Sequence, residues 1–261
     1  MHVEYKRRNV MKRYYKRYNH IYSLTMADID QQNKMSPTAV LNYFQDAIGR
    51  FLAKARVSAL DLLEEGATWM ITEFHATFAD KLPSWPGIVS MEVYLSELST
   101  VKAYVDYLIR DIRGNIVVRG TSAWVMMDLA SRRMIPCQSC QRFVEQYDES
   151  NHTPHARYVF PPLQPASGHL SGTHAITQMN TDFNGHVSNR EYFRISLSLA
   201  DLQKKKSHKL RDIHIKFLQE TRVGESLRCY QHETEPGSLL VQLVKAETGA
   251  LVCQLMMQWV S

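Results

Sequence analysis

Two kinds of hydrophobic spacing run along the chain, and each occurs twice. From Pro37 to about Ala55, PTAVLNYFQDAIGRFLAKA returns apolar side chains every three or four residues, with Pro37 suited to a first helical turn. From about Val187 to about Lys204 that spacing recurs, ending on Lys204-Lys205-Lys206, cations that suit the negative end of a helix. Period-two alternation marks the second kind: Phe74 to Leu95 and Ile213 to His232 both read as a strand, a turn at Gly87 or Gly224, and another strand. Gly114 to Trp124 and Gly249 to Trp259 form a further pair, each a turn glycine, a β-rich run and a terminal Trp, each preceded by another strand.

Each half therefore predicts a strand, a loop, one long apolar helix and about four antiparallel strands. A helix that is apolar around most of its circumference must be wrapped, and the sheet is the element available to wrap it. The expected class is α+β, a double hot-dog: two tandem modules, each an antiparallel sheet curved around one central helix. The first module with its N-terminal arm takes residues 1–146, the second 168–261. Between them 147–167 carries Pro154, Pro161, Pro162 and Pro165 without periodicity and reads as a linker.

The net charge of +5 is local: the first twenty residues hold seven Lys and Arg against Glu4 alone. The remainder has 31 − 7 = 24 basic against 26 − 1 = 25 acidic side chains. The basic arm, in which Tyr alternates with Lys and Arg, suits nucleic acid, an anionic membrane or an acidic protein, and equally a solvated tail. No apolar run nears the roughly 18 residues of a membrane span, and a soluble, cytoplasmic protein is expected. Cys137, Cys140, Cys229 and Cys253 are expected reduced. Cys137-x-x-Cys140 followed by His152-x-x-His155 has two thiols and two imidazoles, but Pro154 between the histidines argues against a zinc site.

The repeat offers an internal control. Aligning Tyr43-Phe44 with Tyr192-Phe193 sets Pro37 against His186, Ser36 against Gly185 and Met35 against Asn184, and aligning Phe78 with Phe217 sets Lys81 against Glu220. On that register the first copy lacks the polar set Asp182, Asn184, His186 and Glu220. Asp182 and Asn184 also fit an Asx turn and helix cap. A loop entering a buried helix offers unpaired amides to developing negative charge, and those of Gly185 to Val187 are candidates for an oxyanion. His186 can manage a proton near neutral pH, and Asp182 or Glu220 can orient it or activate a water.

Asp182-Phe183-Asn184-Gly185-His186-Val187-Ser188-Asn189, with Tyr192 following, resembles the acyl-acyl carrier protein (acyl-ACP) thioesterases, whose signature has the form D-x-N-x-H-V-x-N. Their catalytic Glu lies 38 residues after the Asp, and 182 + 38 is Glu220. The resemblance implies Asp182, Asn184, His186 and Glu220 as the catalytic constellation, with the first module enclosing the acyl chain. It implies hydrolysis of fatty acyl-ACP to free fatty acid and carrier thiol, terminating fatty acid biosynthesis without metal or organic cofactor. The partner it implies is an acidic carrier protein and not nucleic acid. The plant members have a Cys after the Glu, and Thr221 here removes any thiolate at that place; Ser188 stands for the first Asn of an N-N pair. An acyl-CoA thioesterase and a non-catalytic acyl-binding protein are the alternatives. A dehydratase would need an acid on the opposing helix, where only Asp46 occurs. Acyl chain length and pairing into a homodimer stay open.

Overall fold

The computed structural model describes residues 16–152, 168–200 and 209–260. The basic arm before residue 16, most of the Pro-rich segment and the triple lysine lie outside the described residues. In order, the first half contains β1 (Arg17–Ser23), α1 (Pro37–Lys54), α2 (Ala59–Leu63), β2 (Ala67–Phe78), β3 (Ile88–Leu98), β4 (Ala103–Arg110), β5 (Ile116–Asp128), β6 (Met134–Ile135) and α3 (Gln141–Val144). The second half contains β7 (His169–Ala175), α4 (Asn189–Leu199), β8 (Lys209–Phe217), β9 (Ser226–Glu235), β10 (Ser238–Lys245) and β11 (Leu251–Val260).

The strands form one antiparallel sheet in the order β1-β3-β4-β5-β2-β8-β11-β10-β9-β7, with β6 beside β5. Read outward from the middle, β2-β5-β4-β3-β1 is matched by β8-β11-β10-β9-β7, so the two copies are related about the β2–β8 seam. At that seam the histidines shared by the repeat face one another, His75 opposite His214, with Phe74 opposite Ile215 and Ala76 opposite Ile213. Each copy wraps its own helix. α1 buries Val40, Phe44, Ala47, Ile48 and Phe51, and Phe44 stacks on Tyr107 of β4 with ring centroids 4.3 Å apart.

Helix limits follow their caps. Ser36 accepts the Ala39 amide and Pro37 takes the first turn, as the sequence predicts for α1. The second helix begins at Asn189 and not Val187, because Val187 is held extended by a bridge to Thr181 and donates its amide to Thr221 O at 2.9 Å. Ser188 then caps α4 by accepting the Glu191 amide. α4 stops at Leu199, where Ala200 turns extended with ψ 139°. From Asp148 to Asn151, at the head of the expected linker, the chain docks on the first half: buried Asn151 accepts from Arg17 Nε at 2.8 Å.

The seam carries two crossed acid–histidine contacts. His75 Nε2 lies 2.7 Å from Asp212 Oδ2, and His214 Nε2 lies 3.7 Å from Glu73 Oε2. Burial lowers the His214 pKa below its ordinary 6.5, aided by neighbouring His75 and opposed by Glu73 and Asp212. An unfolded chain takes up this proton at the ordinary value and the folded chain only at lower pH, so stability falls as pH drops through that interval. Urea denaturation between about pH 8 and about pH 5 is expected to show this loss. His214→Gln should reduce its slope.

Candidate active site

The loop from Thr177 to Ser188 is built by short-range polar bonds. Asn180 Oδ1 receives the Thr177 amide at 2.9 Å and the Thr177 hydroxyl at 3.0 Å, while Asn180 Nδ2 donates to the buried carboxylate of Glu191 at 3.2 Å. Asp182 Oδ1 accepts the Asn184 amide at 2.8 Å, an Asx turn. Gly185 follows with φ +73°, left-handed backbone that glycine adopts without strain. A Cβ there would meet open space, so the glycine answers to backbone geometry and not to crowding.

Glu220 comes from the tail of β8. Its Oε2 lies 3.3 Å from His186 Nε2 and 2.6 Å from Arg132 Nη2. Both side chains are screened, His186 at 17% exposure and Glu220 at 29%. Arg132 belongs to the β5–β6 turn of the first half and is 88 residues away in sequence, with no local signal to mark it. Tyr192, on α4, ties the tail to the helix: its hydroxyl donates to Thr221 Oγ1 at 3.0 Å and Gln219 O at 3.2 Å. Burial raises the Tyr192 pKa, so the phenol stays protonated as this bonding requires.

A cavity of about 300 Å³ opens at this point. Asp182, Asn184, His186 and Glu220 all line it, with Asn189 at the start of α4. The wall facing them comes from the other copy: Ile48 and Leu52 of α1, Trp69 and Ile71 of β2, and Trp124 of β5. The site is thus made by both halves.

Two expectations are corrected. The Gly185 and Val187 amides already donate to Asp182 O and Thr221 O, so they are not open to an oxyanion. The first-turn donors outside the intrahelical ladder belong instead to the helix start at Asn189 and Arg190. The register of the repeat also differs at this loop. Asp30, Asn33, Lys34 and Ser36 make the backbone bonds made by Asp182, Gly185, His186 and Ser188, and the Ile29–Met35 bridge matches Thr181–Val187. Equivalent positions are therefore 152 apart, not 149. Asp30 is the counterpart of Asp182 and likewise caps its own loop, accepting the Gln32 and Lys34 amides. Gln32 faces Asn184 and Lys34 faces His186. Counted back from the Met35 amide bond to Pro83 O, which matches Val187 to Thr221 O, Leu82 faces Glu220. Sliding one helix by three residues nearly preserves its buried face, so the shared Tyr-Phe pairs do not set the register of the loop.

Two family models match, the acyl-ACP thioesterase N-terminal domain over residues 15–143 and the acyl-ACP thioesterase C-terminal domain over residues 173–261. The chain belongs to the acyl-ACP thioesterase family. Among this family's members, the chain is 24% identical over 244 residues to the chloroplastic acyl-[acyl-carrier-protein] hydrolase FATB3 of Cuphea viscosissima, covering 90% of this chain and 57% of the relative. It spans about half the length of most curated relatives it matches. An acyl-ACP thioesterase of Bacteroides thetaiotaomicron superposes with a TM-score of 0.80 at 15% identity, covering 94% of this chain and 98% of that one. The 12:0-ACP thioesterase of Umbellularia californica gives 0.81 at 17%, covering 94% and 97%. These likenesses establish the double hot-dog fold.

Tyr192→Phe leaves the buried Thr221 hydroxyl without its donor. It is expected to cost about 1–3 kcal/mol in chemical denaturation and to speed hydrogen exchange at the Val187 amide.

Proposed function

We propose that the chain hydrolyses the thioester of a fatty acyl chain carried on acyl carrier protein, releasing free fatty acid and the carrier thiol. The observation that carries this reading is the Glu220–His186 pair, 3.3 Å apart, at a cavity whose far wall is apolar and belongs to the other copy. The curated relatives are named as hydrolases of that substrate. Both halves of the one chain line the cavity.

Glu220 already meets the Arg132 guanidinium and His186, and is assigned as the group that holds His186. Glu220 accepts Nε2–H, which leaves Nδ1 as the lone pair; this tautomer follows from the carboxylate contact. Nδ1 takes a proton from water as the water oxygen adds to the thioester carbonyl. The tetrahedral intermediate collapses with loss of the thiolate, which recovers that proton from the imidazolium. Asn184 and the α4 first turn supply donors to the carbonyl oxygen. Asp182 acts by shaping the loop, as Asp30 does in the first copy. Asp46 is committed to Tyr22 and Arg50 at 2.6 and 2.7 Å, away from the cavity, which disfavours the dehydratase alternative. Arg132 and Arg222 line the depression outside Glu220 and suit an acidic carrier.

Steady-state hydrolysis of the same acyl chain on carrier protein and on coenzyme A tests the substrate class, the carrier-linked ester being the faster. His186→Ala and Glu220→Gln should each lower kcat by about a hundredfold or more. Asp182→Asn, whose side-chain oxygen can accept the same amide, should keep most of the rate. Parent-like turnover in folded His186→Ala would remove the imidazole from the reaction.

A further inference from the structure

A cavity of about 570 Å³ lies at the opposite end of the β2–β8 pair. Its lining repeats much of that of the first cavity, on the 152 register in the loop and helix and on the register of the facing His75 and His214 in the central strands. Phe78 stands for Phe217, Leu197 for Gln45, Leu210 for Ile71 and Trp259 for Trp124. Polar positions differ: Lys34 takes the place of His186, Gln32 that of Asn184, and Leu82 that of Glu220. We propose that this second cavity binds a free fatty acid without hydrolytic chemistry, its alkyl chain along the apolar wall and its carboxylate at Lys34.

The exchange of side chains decides the ligand. An ammonium at neutral pH has no lone pair to take a proton from water, and a leucine cannot orient a base. The same exchange removes a negative charge and adds a positive one, so a carboxylate disfavoured beside Glu220 is favoured beside Lys34. Lys34 Nζ donates to Ser84 Oγ at 2.9 Å, and an ammonium has two further N–H groups to offer. Lys209 also lines the cavity. The acids there are engaged: Asp30 Oδ1 accepts two loop amides, and Asp80 Oδ1 lies 3.4 Å from Arg211 Nη1. The volume falls in the range of small-molecule sites. The choice of an alkyl ligand rests on the proposed thioesterase reading, since the first cavity is there assigned an acyl chain.

Titration of the full chain with laurate labelled at the carboxyl carbon, followed by NMR, tests the site, with dodecanol as the uncharged analogue. Lys34→Glu reverses the charge on an exposed side chain, and Leu210→Trp fills the cavity. Each should weaken laurate binding by about tenfold or more and leave thioester hydrolysis at the parent rate, and Lys34→Glu should leave dodecanol binding unchanged. Ile71→Trp, which fills the first cavity, should abolish hydrolysis and spare laurate. Laurate binding that is insensitive to Lys34→Glu and Leu210→Trp, or is lost in Ile71→Trp instead, overturns the proposal. If laurate binding follows Lys34 and Leu210 while no thioester is hydrolysed by the parent, the proposed activity fails and the second site stands.

Discussion

The antiparallel pairing of β2 with β8 is the constraint on which the remaining architecture rests. It joins equivalent strands of two copies, places His75 opposite His214, and makes one continuous sheet of ten hydrogen-bonded strands in series with β6 beside β5. Its geometric consequence is that the start of each central strand lies beside the end of the other. A helix-entry loop from one copy therefore meets the helix and strand of its sister, and a cavity forms at each end of the seam. Neither module alone could close either cavity. The crossed contacts His75–Asp212 and His214–Glu73 occupy this same pair of strands, so the joint that builds the cavities is also where ionisable groups are packed into the sheet.

Within this frame, symmetry of backbone is separated from symmetry of chemistry. Asp30 and Asp182 close their loops alike, Ser36 and Ser188 cap their helices alike, and Trp124 and Trp259 line their cavities alike. The copies part at His186 and Lys34, at Asn184 and Gln32, and at Glu220 and Leu82. Those exchanges leave the fold untouched because these side chains project from loops or strand tails whose shape is set by backbone bonds. A scaffold can thus carry a histidine–carboxylate pair at one end and a lysine and a leucine at the other without a change in topology.

Much of the scaffold was legible in the sequence because its signals are periodic. The apolar spacing from Pro37 gave the first helix, the alternation in Phe74 to Leu95 and Ile213 to His232 gave paired strands, and the glycine-to-Trp runs gave β5 and β11. The loop register was not legible. Tyr43-Phe44 and Tyr192-Phe193 look equivalent, yet a three-residue slide of an amphipathic helix nearly preserves its buried face, so composition cannot choose between registers 149 and 152. Hydrogen bonds chose, and they moved Asp182 from a residue peculiar to the second copy to one the architecture requires twice. Arg132 was equally hidden, since its contact with Glu220 depends on how β5 turns into β6 and not on any neighbour in sequence.

That shift sharpens what the internal repeat can argue. A residue present in both copies, such as Asp182 with Asp30, is explained by the loop that both must fold; a residue present in one, such as His186 or Glu220, is explained by something only one end does. The distinction depends wholly on register, and register in a helix-entry loop is carried by amide bonds such as Val187 to Thr221 O and Met35 to Pro83 O. Once these are fixed, the exchange of ionisable groups at equivalent positions is an imidazole and a carboxylate against an ammonium and an isobutyl group, set among the charges of Arg132 at one end and of Lys209 and Asp80 at the other.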